Sequence, residues 1–348
     1  MTVFHEGTKT HEGRHRDEPL LDRGHGFQYA MLTAADIKAC ASELGFDACG
    51  IAPAECFPEL QFFREWLDRG YAGDMTYLHR SADRRADVRH VLPSARTVIV
   101  TATNYNTNRP YSTEIADPHR AHIARYAWGD DYHDVIGARL DVLLAWMRDR
   151  SPEPFEARAY VDTGPVQERV YAQYAGLGWI GKNTCVIHPA MGSWMFLAEI
   201  VCSLPFPVDA PSLDQCGTCT LCLDACPTHA LVAPGILDST RCISYLTIEH
   251  RGDIPESMQP AIGSHVYGCD ICQEVCPWNA VAPRSSDPVW QPREAWDGVD
   301  VSSLADRSQD ELRHAMRGSA MRRAKAHGLR RNIAVALRNV HGSGARSG

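Results

Sequence analysis

Eight of the thirteen cysteines fall into two groups whose spacing leaves the surrounding chain little freedom. The first is Cys216-x-x-Cys219-x-x-Cys222-x-x-x-Cys226-Pro227, and the second is Cys242 followed by Cys269-x-x-Cys272-x-x-x-Cys276-Pro277. A triple run with a fourth cysteine before proline is the bacterial ferredoxin spacing. Its first three thiolates bind one 4Fe-4S cube, and the fourth ligates the other. Applied here, the crossover closes: Cys216, Cys219 and Cys222 take Cys276, while Cys226 joins Cys242, Cys269 and Cys272. Zinc also accepts four thiolates, but its ribbons show two separated C-x-x-C knuckles rather than a triple run ending in proline. Disulfides fit less well, because thirteen is odd and a 348-residue chain buries a core without staples. The expectation is an electron-carrying module with two 4Fe-4S clusters.

Length allows about two domains plus appendages. No apolar run approaches the roughly 18 residues that span a bilayer, and no apolar signal segment or twin-arginine signal opens the chain. A soluble protein of a reducing cytoplasm is expected, with no membrane partner. The net charge of −8 hides an asymmetry, since residues 313–348 hold nine Arg and Lys and no Asp or Glu. A basic tail on an acidic body suits a polyanion, although a solvated helix face would look the same. Around 320–337 the pattern reads as one helix with an apolar stripe and an arginine face.

Residues 1–31 lack periodicity and are expected to be a disordered tail. Thr33 caps a helix to about 44, a strand covers 48–52, and a second helix covers about 59–69. The β-branched run 97–102 reads as a buried strand, 132–148 as an amphipathic helix and 156–161 as a further strand. Pro165 is expected to start a helix to about 177, with strands near 184–187 and 195–202 beyond it. Pro205, Pro207 and Pro211 mark a linker. The organisation expected is a mixed α+β catalytic domain at 32–205, the double-cluster module at 206–283 and a basic helical segment at 284–348.

Outside the clusters, Asp162-Thr163-Gly164-Pro165 lies where a strand gives way to a helix, a position that presents a side chain to a ligand. Asp also serves there as an ordinary helix cap. An aspartic protease would need a second such loop, and the chain has none. Gly176 to Asn183 is glycine-dense and holds Lys182, one of four lysines. Such a loop lets backbone approach a bulky cofactor, but no G-x-G-x-x-G fingerprint supports a nicotinamide fold.

Several motifs then occur in one order: Arg125-Tyr126-Ala127-x-Gly129-x-Asp131-Tyr132-His133; Val161-Asp162-Thr163-Gly164-Pro165-Val166-x-Glu168-Arg169; the 176–183 loop; Gly192-Ser193-Trp194-x-Phe196-Leu197-x-Glu199-Ile200; and the cysteine module. From about 33 to 337 the chain resembles epoxyqueuosine reductases. That resemblance implies a cobalamin-binding catalytic domain like that of reductive dehalogenases, followed by the ferredoxin-like module. The implied activity removes the epoxide oxygen of epoxyqueuosine at the wobble position of tRNA. Asp162 would donate the proton, and burial beside an apolar corrinoid would raise its pKa as that role requires.

The resemblance places Arg85, Ala124, Arg125, His133, Asp162, Gln167, Arg169, Lys182, Asn183, Val186 and His188 at the cobalamin. Cobalt-ligating D-x-H-x-x-G is not matched, because glycine after Asp131-x-His133 arrives only at Gly137, so His133 is not assigned as a cobalt ligand. Where some members of the family place a cysteine before the arginine this chain has Ala124, and the family's hydrophobic residue within the D-T-G-P motif is Gln167 here. Arg322, Arg323, Lys325, Arg330 and Arg331 are expected to hold tRNA phosphates. Trp278 is expected beside the second cluster, stacking a base or shielding the metal. An external low-potential donor and a monomeric state complete the expectation. A reductive dehalogenase is the alternative enzyme, though an arginine-rich tail has no use for a small halogenated substrate. A bare ferredoxin leaves some 170 residues unexplained.

Overall fold

A computed structural model describes residues 32–344; the expected tail at 1–31 lies outside the described residues. The described residues belong to one compact unit. Its centre is a four-stranded antiparallel sheet in the order Ala48–Pro53, Thr97–Asn104, Met195–Cys202, Ala157–Tyr160. Alternate side chains of a strand face opposite sides. In Thr97–Asn104, Ile99 enters one core while Val98, Val100 and Ala102 enter the other. The sheet is therefore covered on both faces, and its inner strands are apolar nearly throughout.

One face carries the helices Ala34–Glu43 and Tyr132–Arg150, whose Ile37, Ala41, Ile136, Leu140, Leu143 and Met147 are buried. Thr33 and Asp36 form a reciprocal capping box at the start of the first, as the sequence predicts. The other face carries Pro58–Asp68 and Glu168–Tyr174. This last helix begins three residues later than expected, because the chain turns sharply first. Asp162 adopts a left-handed φ of 57° and the Thr163 N–H returns to the Val161 carbonyl. Gly164 then passes so close to the Tyr160 ring that a Cβ would lie 2.4 Å from its Cγ. The sharp turn puts 162–167 at the open end of the sheet instead of in a helix.

In the cysteine module each C-x-x-C leads into one short helix, Leu221–Asp224 or Ile271–Glu274. The module is tied to the rest by strand His265–Tyr267, which pairs in parallel with His122–Ile123. Behind it, the C-terminal helices Val301–Asp306, Gln309–Ala315 and Lys325–Gly344 bury Leu304, Leu312, Leu329, Ile333, Ala336 and Val340 in a third core. The single helix expected over 320–337 is broken. Ala320–Ala324 is a 3-10 turn, and Lys325, at φ 58°, redirects the chain into the final helix. Among the described residues no helix is long and apolar enough to cross a membrane.

Candidate active site

The expected thiol sets come together across the sequence. Cys216, Cys219, Cys222 and Cys276 line one cavity, together with Lys182, Asn183 and Trp278. Cys226, Cys242, Cys269 and Cys272 form the second neighbourhood, in which Cys242 senses Cys226 and both Cys269 and Cys272 sense Cys242. Burial pushes the Cys242, Cys269 and Cys272 thiols above their ordinary range. Iron bound in place of the proton removes that penalty. The residues therefore fit two clusters.

Trp278 packs edge-on against Trp179 at 4.9 Å, and the Trp179 indole N–H donates to Cys216 Sγ at 3.4 Å. Trp278 thus belongs to the first cube's wall, not beside the second cube as the sequence suggested. Its position two residues past the end of the second run is deceptive, since the preceding Cys276 crosses to the first cavity. A donor to a cluster sulfur stabilises the more negative, reduced state.

At the open end of the sheet, Asp162 meets the start of helix Tyr132–Arg150. The Tyr132 hydroxyl donates to Asp162 Oδ2 at 2.9 Å, and His133 Nε2 lies 3.6 Å from the same oxygen. His133 is fixed from behind by its Nδ1, 2.7 Å from Asp131 Oδ1, and Asp131 also caps the helix through the His133 N–H. Asp162 itself caps nothing; the residue before helix Glu168–Tyr174 is Gln167.

These contacts decide where the proton sits. Burial alone would depress the His133 pKa, but bonding to Asp131 and Asp162 carries it up to about 9. Burial would raise Asp162, yet hydrogen bonds from His133 and Tyr132 and the charges of His133 and Arg169 hold it below its ordinary range. In the chain as it stands the two groups draw each other toward their charged forms, which is the opposite direction to the one expected for Asp162 from burial. Sequence reading weighed burial and left out the donor beside it. The Asp162 side chain also keeps 62% exposure, so a group covering it would strengthen both opposing effects.

Behind Asp162 lies a second acid site. The Asp162 N–H donates to Glu168 Oε1 at 2.5 Å, and Glu199, on the central strand and fully buried, faces Glu168. Neither Tyr132 nor Glu199 was picked out as a site residue from sequence. Glu199 had a signal, a lone carboxylate in the otherwise apolar strand Met195–Cys202.

The other expected cofactor contacts divide into three places. Arg85 and Gln167 tie their two segments together: Arg85 Nη1 donates to Val166 O at 2.9 Å and Gln167 Nε2 to Arg85 O at 3.0 Å. Arg169 Nη1 donates to Thr184 O at 2.7 Å. Lys182 Nζ donates to Gly217 O and Cys219 O at 2.6 and 2.9 Å, and Asn183 Nδ2 to Cys272 O at 3.1 Å. Val186 is buried in a two-stranded ribbon, and His188 Nδ1 accepts the Ala190 and Met191 N–H groups. Ala124 and Arg125 sit apart. Ala124 N–H bonds Tyr267 O, and the Arg125 guanidinium is buried among Tyr111, Trp128 and Trp194, donating to carbonyls of Thr107, Arg109 and Pro110. Its side chain is a strut of that loop.

The basic set also divides. Arg322 and Arg323 are exposed and line a cavity of about 550 Å³ together with Asp131, His133, Tyr160 and Thr163. Arg323 grips Glu249 in a two-point bond at 2.7 and 2.8 Å, and Lys325 is exposed nearby in sequence. Arg330 instead donates to Arg307 O, and Arg331 to the carbonyls of Leu246, His250 and Gly252. Those two arginines fasten the last helix to the fold, whereas Arg322, Arg323 and Lys325 are exposed.

Two family models match the chain: "4Fe-4S double cluster binding domain" over residues 215–279 and "Epoxyqueuosine reductase QueG, DUF1730" over residues 85–163. An epoxyqueuosine reductase of Gloeobacter violaceus is 45% identical over 312 residues, covering 88% of this chain and 96% of its own. That of Xanthomonas campestris is 42% identical, covering 89% and 88%. Among solved structures, an epoxyqueuosine reductase holding an epoxyqueuosine-modified tRNA stem loop superposes with a TM-score of 0.80 at 31% identity, over 89% of this chain and 82% of that one. A Bacillus subtilis enzyme whose catalytic aspartate loop is swung out of its active site gives 0.77 at 30%, with the same coverage. With its double-cluster module and an aspartate site at the end of the sheet, the chain belongs to the epoxyqueuosine reductase family.

Proposed function

We propose that this chain reduces epoxyqueuosine to queuosine within tRNA, using electrons from an external low-potential donor relayed through its two clusters. The observation that carries the reading is a shared cavity: the acid–base group His133 and the cations Arg322 and Arg323 line the same space. A base splayed from an anticodon loop has to bring its phosphates with it. Cations beside a proton site suit that substrate and are superfluous for a small halogenated one.

Cobalamin, when bound, supplies the reducing power at the epoxide carbon. The exposed surface at Asp162, Thr163 and Arg169 fits such a large group, because it offers a polar rim on a stiff turn. Arg85, Gln167, Arg169, Lys182, Asn183, Val186 and His188 are the residues that would hold it. The proton starts on His133, which Asp131 holds protonated, and reaches the departing oxygen through the Asp162 carboxylate. Tyr132 fixes the carboxyl through Oδ2. General acid assistance of this kind is worth roughly 100- to 10,000-fold.

Nucleoside mass spectrometry of tRNA from a strain lacking the gene tests the reading. Epoxyqueuosine should accumulate and queuosine disappear, both reversed by the wild-type gene. Unchanged queuosine in the deleted strain refutes it.

A further inference from the structure

Reducing an epoxide to an alkene consumes two electrons and two protons: both C–O bonds break, the C=C bond forms, and the oxygen leaves as water. The His133–Asp162 pair accounts for one proton. The clusters and their donor account for the electrons, on the reading proposed above, on which this inference also rests.

The buried pair behind Asp162 is unused by that scheme. Both carboxyl oxygens of Glu199 are buried and lack a hydrogen-bond donor among the described residues. What faces them is the carboxyl of Glu168. Two carboxylates cannot bond to each other, and a lone carboxylate enclosed in an apolar sheet is costly. A single proton between them solves both problems and makes the pair a bonded acid dimer. The groups around the pair do not neutralise it. Asp162 adds negative charge, Tyr132 and Tyr160 are uncharged, Arg169 donates to Thr184, and Arg85 donates to Ser81 Oγ and Val166 O. Burial and then the Asp162 charge push Glu168 upward, against its bond with Glu199, while burial, then Glu168 and then Asp162 push Glu199 upward. Glu168 is the half-exposed member and accepts the Asp162 N–H, so it is the outlet.

We propose that Glu168 and Glu199 hold one shared proton that supplies the second proton of the reaction, passed from Glu168 to the Asp162 carboxylate through one water. Solvent then reprotonates the pair through Glu168. Neither glutamate touches the reacting atoms; they are a store acting through Asp162.

Infrared spectroscopy of the purified holoprotein without substrate at neutral pH reads the proton directly, because a carboxylic acid has a C=O stretch that carboxylates lack. Wild type should show that band, and Glu199→Gln and Glu168→Gln should each remove it. In turnover, Glu199→Gln should lower kcat roughly 10- to 100-fold with KM for tRNA unchanged. It should also shift the alkaline limb of the pH–rate profile. Absence of the band from wild type, its survival in both variants, or an unaltered kcat and pH profile in Glu199→Gln overturns the proposal. A chain that shows the band but leaves epoxyqueuosine-modified tRNA untouched instead sinks the reductase reading, and with it the use of the proton.

Discussion

Replacing Asp162 by Asn keeps the shape of the side chain and its acceptor for Tyr132, but removes the charge that His133 faces at 3.6 Å. Full Coulomb attraction at that distance, with an effective dielectric near 20, is about 4–5 kcal/mol. The carboxylate is 62% exposed, so solvent screens most of it, and exposed pairs retain about 0.2–1 kcal/mol. Asp131 remains at 2.7 Å with only 14% of its side chain exposed, so His133 keeps its stronger partner. The expected result is a fall in the His133 pKa of roughly 0.15–0.7 unit from its value of about 9. NMR titration of nitrogen-labelled histidine measures it. Turnover at neutral pH should drop roughly 100- to 10,000-fold while the cluster spectrum is unchanged. An unmoved His133 titration with near-wild-type turnover would refute both the pairing and the donor role.

Stability should depend on pH through the same histidine. Its folded pKa is raised from 6.5 to about 9, so its contribution is full below 6.5 and lost as pH rises through 9, which denaturant melts of wild type and His133→Gln would show as a difference that shrinks between those two pH values. Cys276→Ser should abolish the first cube and leave about four of about eight irons per chain, because the second thiol set does not include it; iron analysis showing loss of both or neither contradicts the crossover. Gln at Arg322, Arg323 and Lys325 together should lower the log–log salt slope of tRNA binding by about two units, whereas Arg331→Gln should leave the slope alone and lower the melting temperature. Asn332, fully buried, donates to Thr247 O at 2.7 Å and Val266 O at 2.9 Å, and Asn332→Leu should cost about 2–4 kcal/mol in chemical denaturation by stranding both carbonyls.

What the sequence made legible was what local chemistry decides. The Thr33 cap, the buried strand around Val98 to Val100 and the cysteine crossover each follow from residue types at fixed spacing. The turn at 162–167 was misread as helix because Pro165 is a good first helical residue, and only the left-handed Asp162 and the contact of Gly164 with Tyr160 overrule it. Arg331 reads as a surface charge in any periodicity plot; its partners are three carbonyls about 80 residues away in sequence, which no window reaches. The ionisation of Asp162 failed for a similar reason. His133 is brought to it by the fold, and a carboxyl's pKa depends on that neighbour as much as on burial.

Lys182 and Asn183 are adjacent in the chain, yet one holds carbonyls of the first cysteine run and the other a carbonyl of the second. The very next residue, Thr184, sits at a left-handed φ of 68° and accepts the Arg169 guanidinium. Three consecutive residues thus form a keystone resting on both metal-binding loops and on the catalytic turn. Oxidative loss of a cube is accordingly not a local injury: it slackens the keystone, and with it the grip on Arg169 and the turn that bears Asp162. Hydrogen exchange across 162–169 should quicken when iron is stripped by chelation. An enzyme damaged by oxygen would then lose its shape for the substrate along with its electrons, and release the RNA instead of holding it idle.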